Sequence, residues 1–246
     1  ASVAVAGVAQ AQNFGFELPQ YNASGAGTIL TGQNGWTASP VAGSLNFNVH
    51  TYAGNSYGFV QNPVGGNQFI AGQSGPLPAG VGPARAQVGV PFAVGTYTVS
   101  YDTNAQFFGT PPAAINLGSF SLNHNTLAAG TFQGYINLFN FNVGATPASG
   151  LNSQFNVFNA AGVAQNNQSP GAFWANLTYN NWYRSYVTVN FATHQILNVA
   201  IVNLHNGQGA SVAPIDWYLN GGAASTLPLP DAVRAFAGGN AGNTTA

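Results

Sequence analysis

Tyr183-Arg184-Ser185-Tyr186-Val187-Thr188-Val189-Asn190-Phe191 is followed by Ala192-Thr193-His194-Gln195 and then Ile196-Leu197-Asn198-Val199-Ala200-Ile201-Val202-Asn203-Leu204. Both long runs are rich in β-branched and aromatic residues, and the first alternates in character with period two, the signature of half-buried strands. A four-residue link between two such runs predicts an antiparallel hairpin. Working outward, the same alternation recurs at Leu45-Asn46-Phe47-Asn48-Val49, Thr96-Tyr97-Thr98-Val99-Ser100-Tyr101 and Phe139-Asn140-Phe141-Asn142-Val143. Further strands are expected at Gly58–Gln61, Phe69–Ala71, Ile115–Leu122 and Phe155–Phe158. Gly and Pro punctuate the chain between them. The best helical candidate is Asp231–Phe236, opened by Pro230 and closed by Gly238-Gly239, a turn or two at most. Many short strands with turn-rich links predict an all-β, antiparallel jelly-roll β-sandwich with minimal helix. We expect one domain over residues 13–246, preceded by an extension at residues 1–12.

The composition narrows the function. The 246 residues include three basic and four acidic side chains, 3% charged and −1 net, against about 25% charged in ordinary soluble domains. No basic face exists to neutralise phosphates, so nucleic-acid binding is excluded, and anionic-membrane recognition with it. The absence of cysteine removes disulfides, thiolate metal sites and cysteine nucleophiles. No 18-residue apolar run is present, so no membrane insertion is expected. A hydrophobic fraction of 46% suffices for a sizeable core. A surface of Asn, Gln, Ser, Thr and Gly lacks the charge repulsion that keeps soluble proteins apart. It suits a chain that packs against its own copies.

At the start of the chain, Ala9-Gln10-Ala11 has the form of a secretory cleavage site. Read as mature sequence instead, Val3, Val5 and Val8 form a flat β-segment of small bulk, suited to donation to a neighbour's open sheet edge.

Several local signatures point to a family. Phe16-Glu17, Gly32-Gln33-Asn34-Gly35-Trp36, Asn181-Trp182-Tyr183-Arg184, Asp216-Trp217-Tyr218-Leu219-Asn220-Gly221-Gly222 and Leu227-Pro228-Leu229-Pro230 together resemble secreted bacterial proteins with a concanavalin A-like (LamG-like) jelly-roll domain, of the kind found in planctomycetes and in proteins with sorting tails. The resemblance spans residues 14–243 and implies a jelly-roll sandwich and export; it implies no activity, because the fold hosts many. Some such relatives carry a further terminal strand, so the resemblance also implies an open final sheet position near the C-terminus.

Glycoside hydrolysis needs two carboxylates facing one sugar, yet Glu17 is the only Glu and no two acids lie within ten residues of each other except across space. Gly54-Asn55-Ser56-Tyr57-Gly58 matches the nucleophile elbow G-x-S-x-G, but no helix pattern follows it. His50, His124, His194 and His205 lack metal-ligand spacing and read as surface or turn histidines. Asp216 is a weak calcium candidate, and no other cofactor is expected. Arg184 is expected to pair with one of the scarce acids as a register device. Trp36, Trp174, Trp182, Trp217 and Tyr218 are candidate glycan platforms. Asn22, Asn167, Asn176 and Asn243 begin N-x-S/T glycosylation sequons.

The resulting expectation is an extracellular or cell-surface structural protein, not an enzyme. It would be a self-assembling subunit of a filament, sheath or surface layer, joined to copies of itself by strand donation. The alternative is a monomeric lectin-like glycan-binding module.

Overall fold

The hairpin at residues 183–204 forms as Tyr183–Asn190 paired antiparallel with Gln195–Asn203. The link bends at His194, whose backbone adopts φ 57°. A computed structural model describes residues 15–38, 45–74, 84–107, 116–125, 132–143, 150–237 and 243–245. In spatial order, β1 (Thr28–Ile29), β3 (Asn48–Thr51), β4 (Gln68–Ser74), β16 (Asn243–Thr245) and β7 (Ala105–Phe107) make a five-stranded sheet. A seven-stranded sheet runs β11 (Ala164–Gln168), β10 (Leu151–Phe158), β9 (Phe132–Val143), β8 (Asn116–Asn125), β15 (Ala232–Ala237), β5 (Ala84–Gly89) and β2 (Thr37–Ala38). The third sheet runs β14 (Gly209–Val212), β13 (Gln195–Asn203), β12 (Tyr183–Asn190) and β6 (Thr96–Thr103). All pairings between these strands are antiparallel. A 3-10 turn at Gly222–Ala224 is the helical piece among the described residues. The fold is an antiparallel jelly-roll β-sandwich.

Alternation decides which side chains reach the core. Along β12 every second residue is buried, and Val187 and Val189 join Val199 and Ile201 of β13 in one apolar cluster with Phe155, Leu122 and Val233. Burying each such side chain is worth roughly 1.5–3 kcal/mol. The outward residues of β6 and β12 are cross-linked by the Thr98 and Thr188 hydroxyls, 2.9 Å apart. A second, smaller cluster joins Phe59, Phe69, Ala71 and Trp182. Its rings meet edge-on or tilted, as between Phe59 and Phe69 with centroids at 5.5 Å, the arrangement their quadrupoles prefer.

Some local expectations give way. Asp231–Phe236 is not helical: residues 232–237 are β15, paired on both sides by β5 and β8. Two long neighbours offering complete hydrogen-bond ladders outweigh the local cap signals. Gly58–Gln61 forms no strand, and Leu45–Phe47 precede β3 rather than belonging to it. His50 is not a surface residue: it is 1% exposed, stacked on Phe69 and edge-on to Tyr57. Gly27, at φ 93°, lies directly against its imidazole, where any side chain would collide. Ser56 is exposed in a turn, so the G-x-S-x-G match is a loop and not an elbow.

Candidate functional site: a cleft between two strand edges

β16 lies between β4 and β7: Thr245 pairs with Gly72 and Ala105, Thr244 with Gln73 and Gln106, and Asn243 with Ser74 and Phe107. The flanking segments extend beyond the pairs made by Thr245. On one side β4 continues back to Gln68, paired with β3 along its other edge. On the other, β7 gives way through Asn104 to β6, which among the described strands pairs only with β12. Between these walls lies a cavity of about 650 Å³, lined by Gln68, Phe69 and Ile70 on one side and by Ser100 to Thr103 on the other.

Its polar side is an ordered network. Cross-strand pairing sets Arg184 opposite Asp102, and the guanidinium grips the carboxylate in a fork, Nε to Oδ1 at 2.6 Å and Nη2 to Oδ2 at 2.8 Å. Asn62 Nδ2 also donates to Oδ2 at 2.8 Å. The bond to Asp102 holds the Arg184 guanidinium above its ordinary range. Glu17 stands at the far end of the cleft, where its Oε1 accepts from the backbone N–H of Asn67 at 2.7 Å and of Gln68 at 3.0 Å. Burial, reinforced by the charges of Asp102 and Glu17, raises the Tyr52 hydroxyl well above the usual phenol range. It is a neutral group at all physiological pH.

The apolar side is aromatic. Tyr101 stacks on Phe120 with centroids 4.5 Å apart, and Phe16 leans on Trp36 at 5.7 Å. Trp182 lines the cleft but donates Nε1 to Val60 O at 2.7 Å. Four polar atoms on three side chains near the walls, Gln68 Oε1, Thr103 Oγ1 and Asn104 Oδ1 and Nδ2, are buried with no hydrogen-bond partner. Buried polar groups are rarely left so.

The sequence candidates are distributed unevenly over this geometry. Arg184 pairs with an acid, and the acid is Asp102. Glu17 and Asp102, remote in sequence, line one cleft. Trp36, Trp174 and Trp182 are 2, 1 and 3% exposed, so their faces are packed in the interior rather than offered as platforms. Trp217 and Tyr218 are half-buried, with Trp217 against Phe155. Asp216 is exposed, and its Oδ1 accepts from Ala160 N at 2.8 Å; among the described residues no three metal-ligating groups gather. Asn22, Asn167 and Asn176 are exposed, while Asn243 belongs to β16. Val3, Val5 and Val8 lie outside the described residues. Tyr52, Tyr101 and Asn62 were not singled out from sequence, because nothing local marks them.

No protein-family model matches the chain, and no curated protein matches it. Among solved structures it is similar to a carbohydrate esterase from the Shiga toxin-encoding bacteriophage phi24B, at 15% identity and TM-score 0.44, over 86% of each chain. It is also similar to peanut lectin, at 13% identity and TM-score 0.39, over 66% of this chain and 79% of that one. A third is an endo-β-1,4-glucuronan lyase from the fungus Trichoderma reesei, at 9% identity and TM-score 0.40, over 89% and 92%. Two of these three proteins are enzymes, which corrects the expectation that the chain is not one: the fold gives no ground for that exclusion.

Proposed function

We propose that this protein is an extracellular structural subunit that assembles with its own copies, each copy seating an extended segment in the cleft between β4 and β6. The observation that carries this reading is the pair of strand segments, Gln68–Ile70 and Ser100–Thr103, that face one cavity and each have one partner among the described strands. An unpaired edge is a template for another chain. The chain's near-absence of charge supports the reading too, since copies approach without repulsion. Sedimentation and electron microscopy of the full chain, beside one lacking residues 1–12, provide the test. Ordered, concentration-dependent assembly that disappears on truncation is the expected result. A monomer at every concentration overturns it.

A second reading is favoured by the cleft lining. Aromatic rings beside a fixed Arg–carboxylate–amide network suit a glycan, and carboxylates from Glu17 and Asp102 in one cleft suit a carbohydrate-active site. A glycan array on the monomer discriminates: saturable binding lost in Arg184→Met, without assembly, replaces the first reading with this one.

A further inference from the structure

We infer that residues 23–27 are an acid-released strap, which closes over the His50 imidazole while that ring is neutral and lifts when the ring takes up a proton.

The walls around the ring make the case. His50 lies on β3 and is 1% exposed. Phe69 of β4 stacks on it at 5.5 Å, and Tyr57 meets it edge-on at 4.9 Å. The strap supplies a third wall. His50 Nδ1 lies 3.2 Å from Gly25 O, and a carbonyl oxygen only accepts, so Nδ1 carries the proton. The neutral ring then presents Nε2 as a bare lone pair, and that atom is buried with no hydrogen-bond partner. A Cβ on Gly27 would collide with Cε1 and Nε2, so the strap backbone rests on the very edge of the ring that protonation changes.

These surroundings accept a neutral ring and penalise a charged one. A proton on Nε2 creates a cation whose new N–H faces the Gly27 backbone with no acceptor beside it. Among the described residues no carboxylate offsets that charge. The strap holds no titratable side chain, and β4 contributes Phe69. Tyr57 is a phenol that burial pushes above its usual range, so it stays uncharged. What acts on the ring is burial and the Gly25 bond.

The strap is also the wall able to yield. β3 is held by both β1 and β4. Ala23-Ser24-Gly25-Ala26-Gly27 carries no side chain larger than Ser, so little apolar burial keeps it down. It is tied to β3 by the His50 bond and by Thr51 N–H donating to Ser24 O at 3.1 Å. Tyr21 and Leu30, both 0% exposed, anchor the chain on either side. Lifting residues 23–27 between those anchors brings water to the imidazolium, frees the Thr51 N–H and leaves the sheets in place.

Hydrogen exchange followed by mass spectrometry on the full chain, at pH 7.5 and pH 5, tests this, with rates expressed as protection so that the pH dependence of exchange chemistry drops out. Protection over residues 23–28 and at Thr51 should fall at pH 5 by up to ~30-fold, the gain in protonation of an ordinary imidazole over that range. β12 and β13 should keep theirs. His50→Asn, which retains an N–H donor but does not titrate, should stay protected at both pH values. Gly27→Ala should show the lifted strap already at pH 7.5; if that variant does not fold, the native chain and His50→Asn decide alone. Unchanged protection of the strap in the native chain overturns the inference, and so does an equal loss in His50→Asn. A loss shared equally by β12 and β13 overturns it as well, because the whole domain and not the strap is then opening.

Discussion

Arg184 and Asp102 meet because β12 and β6 pair residue for residue, and their side chains are 33% and 19% exposed. Partial exposure tempers the value of the pair, so Arg184→Met is expected to cost about 1–2 kcal/mol, read from urea unfolding. Asp102→Asn combined with Arg184→Met should cost less than the sum, because each single change strands the other partner. His50 makes a second residue-scale prediction. Burial lowers its pKa below the ordinary 6.5, so the unfolded chain takes up a proton at a pH where the folded chain does not. Stability is thus fully present above pH 6.5 and declines as pH falls below it. Melting temperature measured from pH 7.5 to 5 should fall, and His50→Asn should flatten that slope.

The five- and seven-stranded sheets approach each other closely at Gly72. A Cβ there would lie 2.7 Å from Ala237 Cβ and 2.9 Å from Ala84 Cβ, both fully buried. Gly72→Val is expected to cost about 1–3 kcal/mol through overpacking, and to disturb the β16 pairing beside it. β15 is the strand whose integrity matters most, since it holds β5 and β8 together. Leu122→Ala on β8, facing Val233 of β15, should lose about 2–5 kcal/mol by leaving a cavity; chemical denaturation reads both.

Across the whole molecule, three basic and four acidic residues leave little for salt to screen. Association through backbone hydrogen bonds and apolar burial should therefore change little between 50 mM and 1 M NaCl. Sedimentation across that range checks it; dissolution at high salt would instead indicate charge-mediated contacts.

The strand runs of β6, β8, β10, β12 and β13 were legible because alternation, β-branching and short links are local properties, and local chemistry suffices to specify a sandwich with one polar and one apolar face. Composition likewise shows that no cysteine is present for thiol chemistry. The Arg184–acid pairing was foreseeable from scarcity, although its partner was not. Whatever depends on pairing between distant segments came from the fold. Residues 231–236 carry helix-like caps, yet ladders from β5 and β8 make them a strand. Trp36, Trp174 and Trp182 have the composition of platforms, but packing takes them inside. The cleft itself joins Glu17, Asn62, Gln68, Tyr101, Asp102 and Arg184, six residues from four stretches of chain. Register is set by neighbours across a sheet and not by neighbours along the chain, so no reading of the sequence alone could have set these six residues side by side.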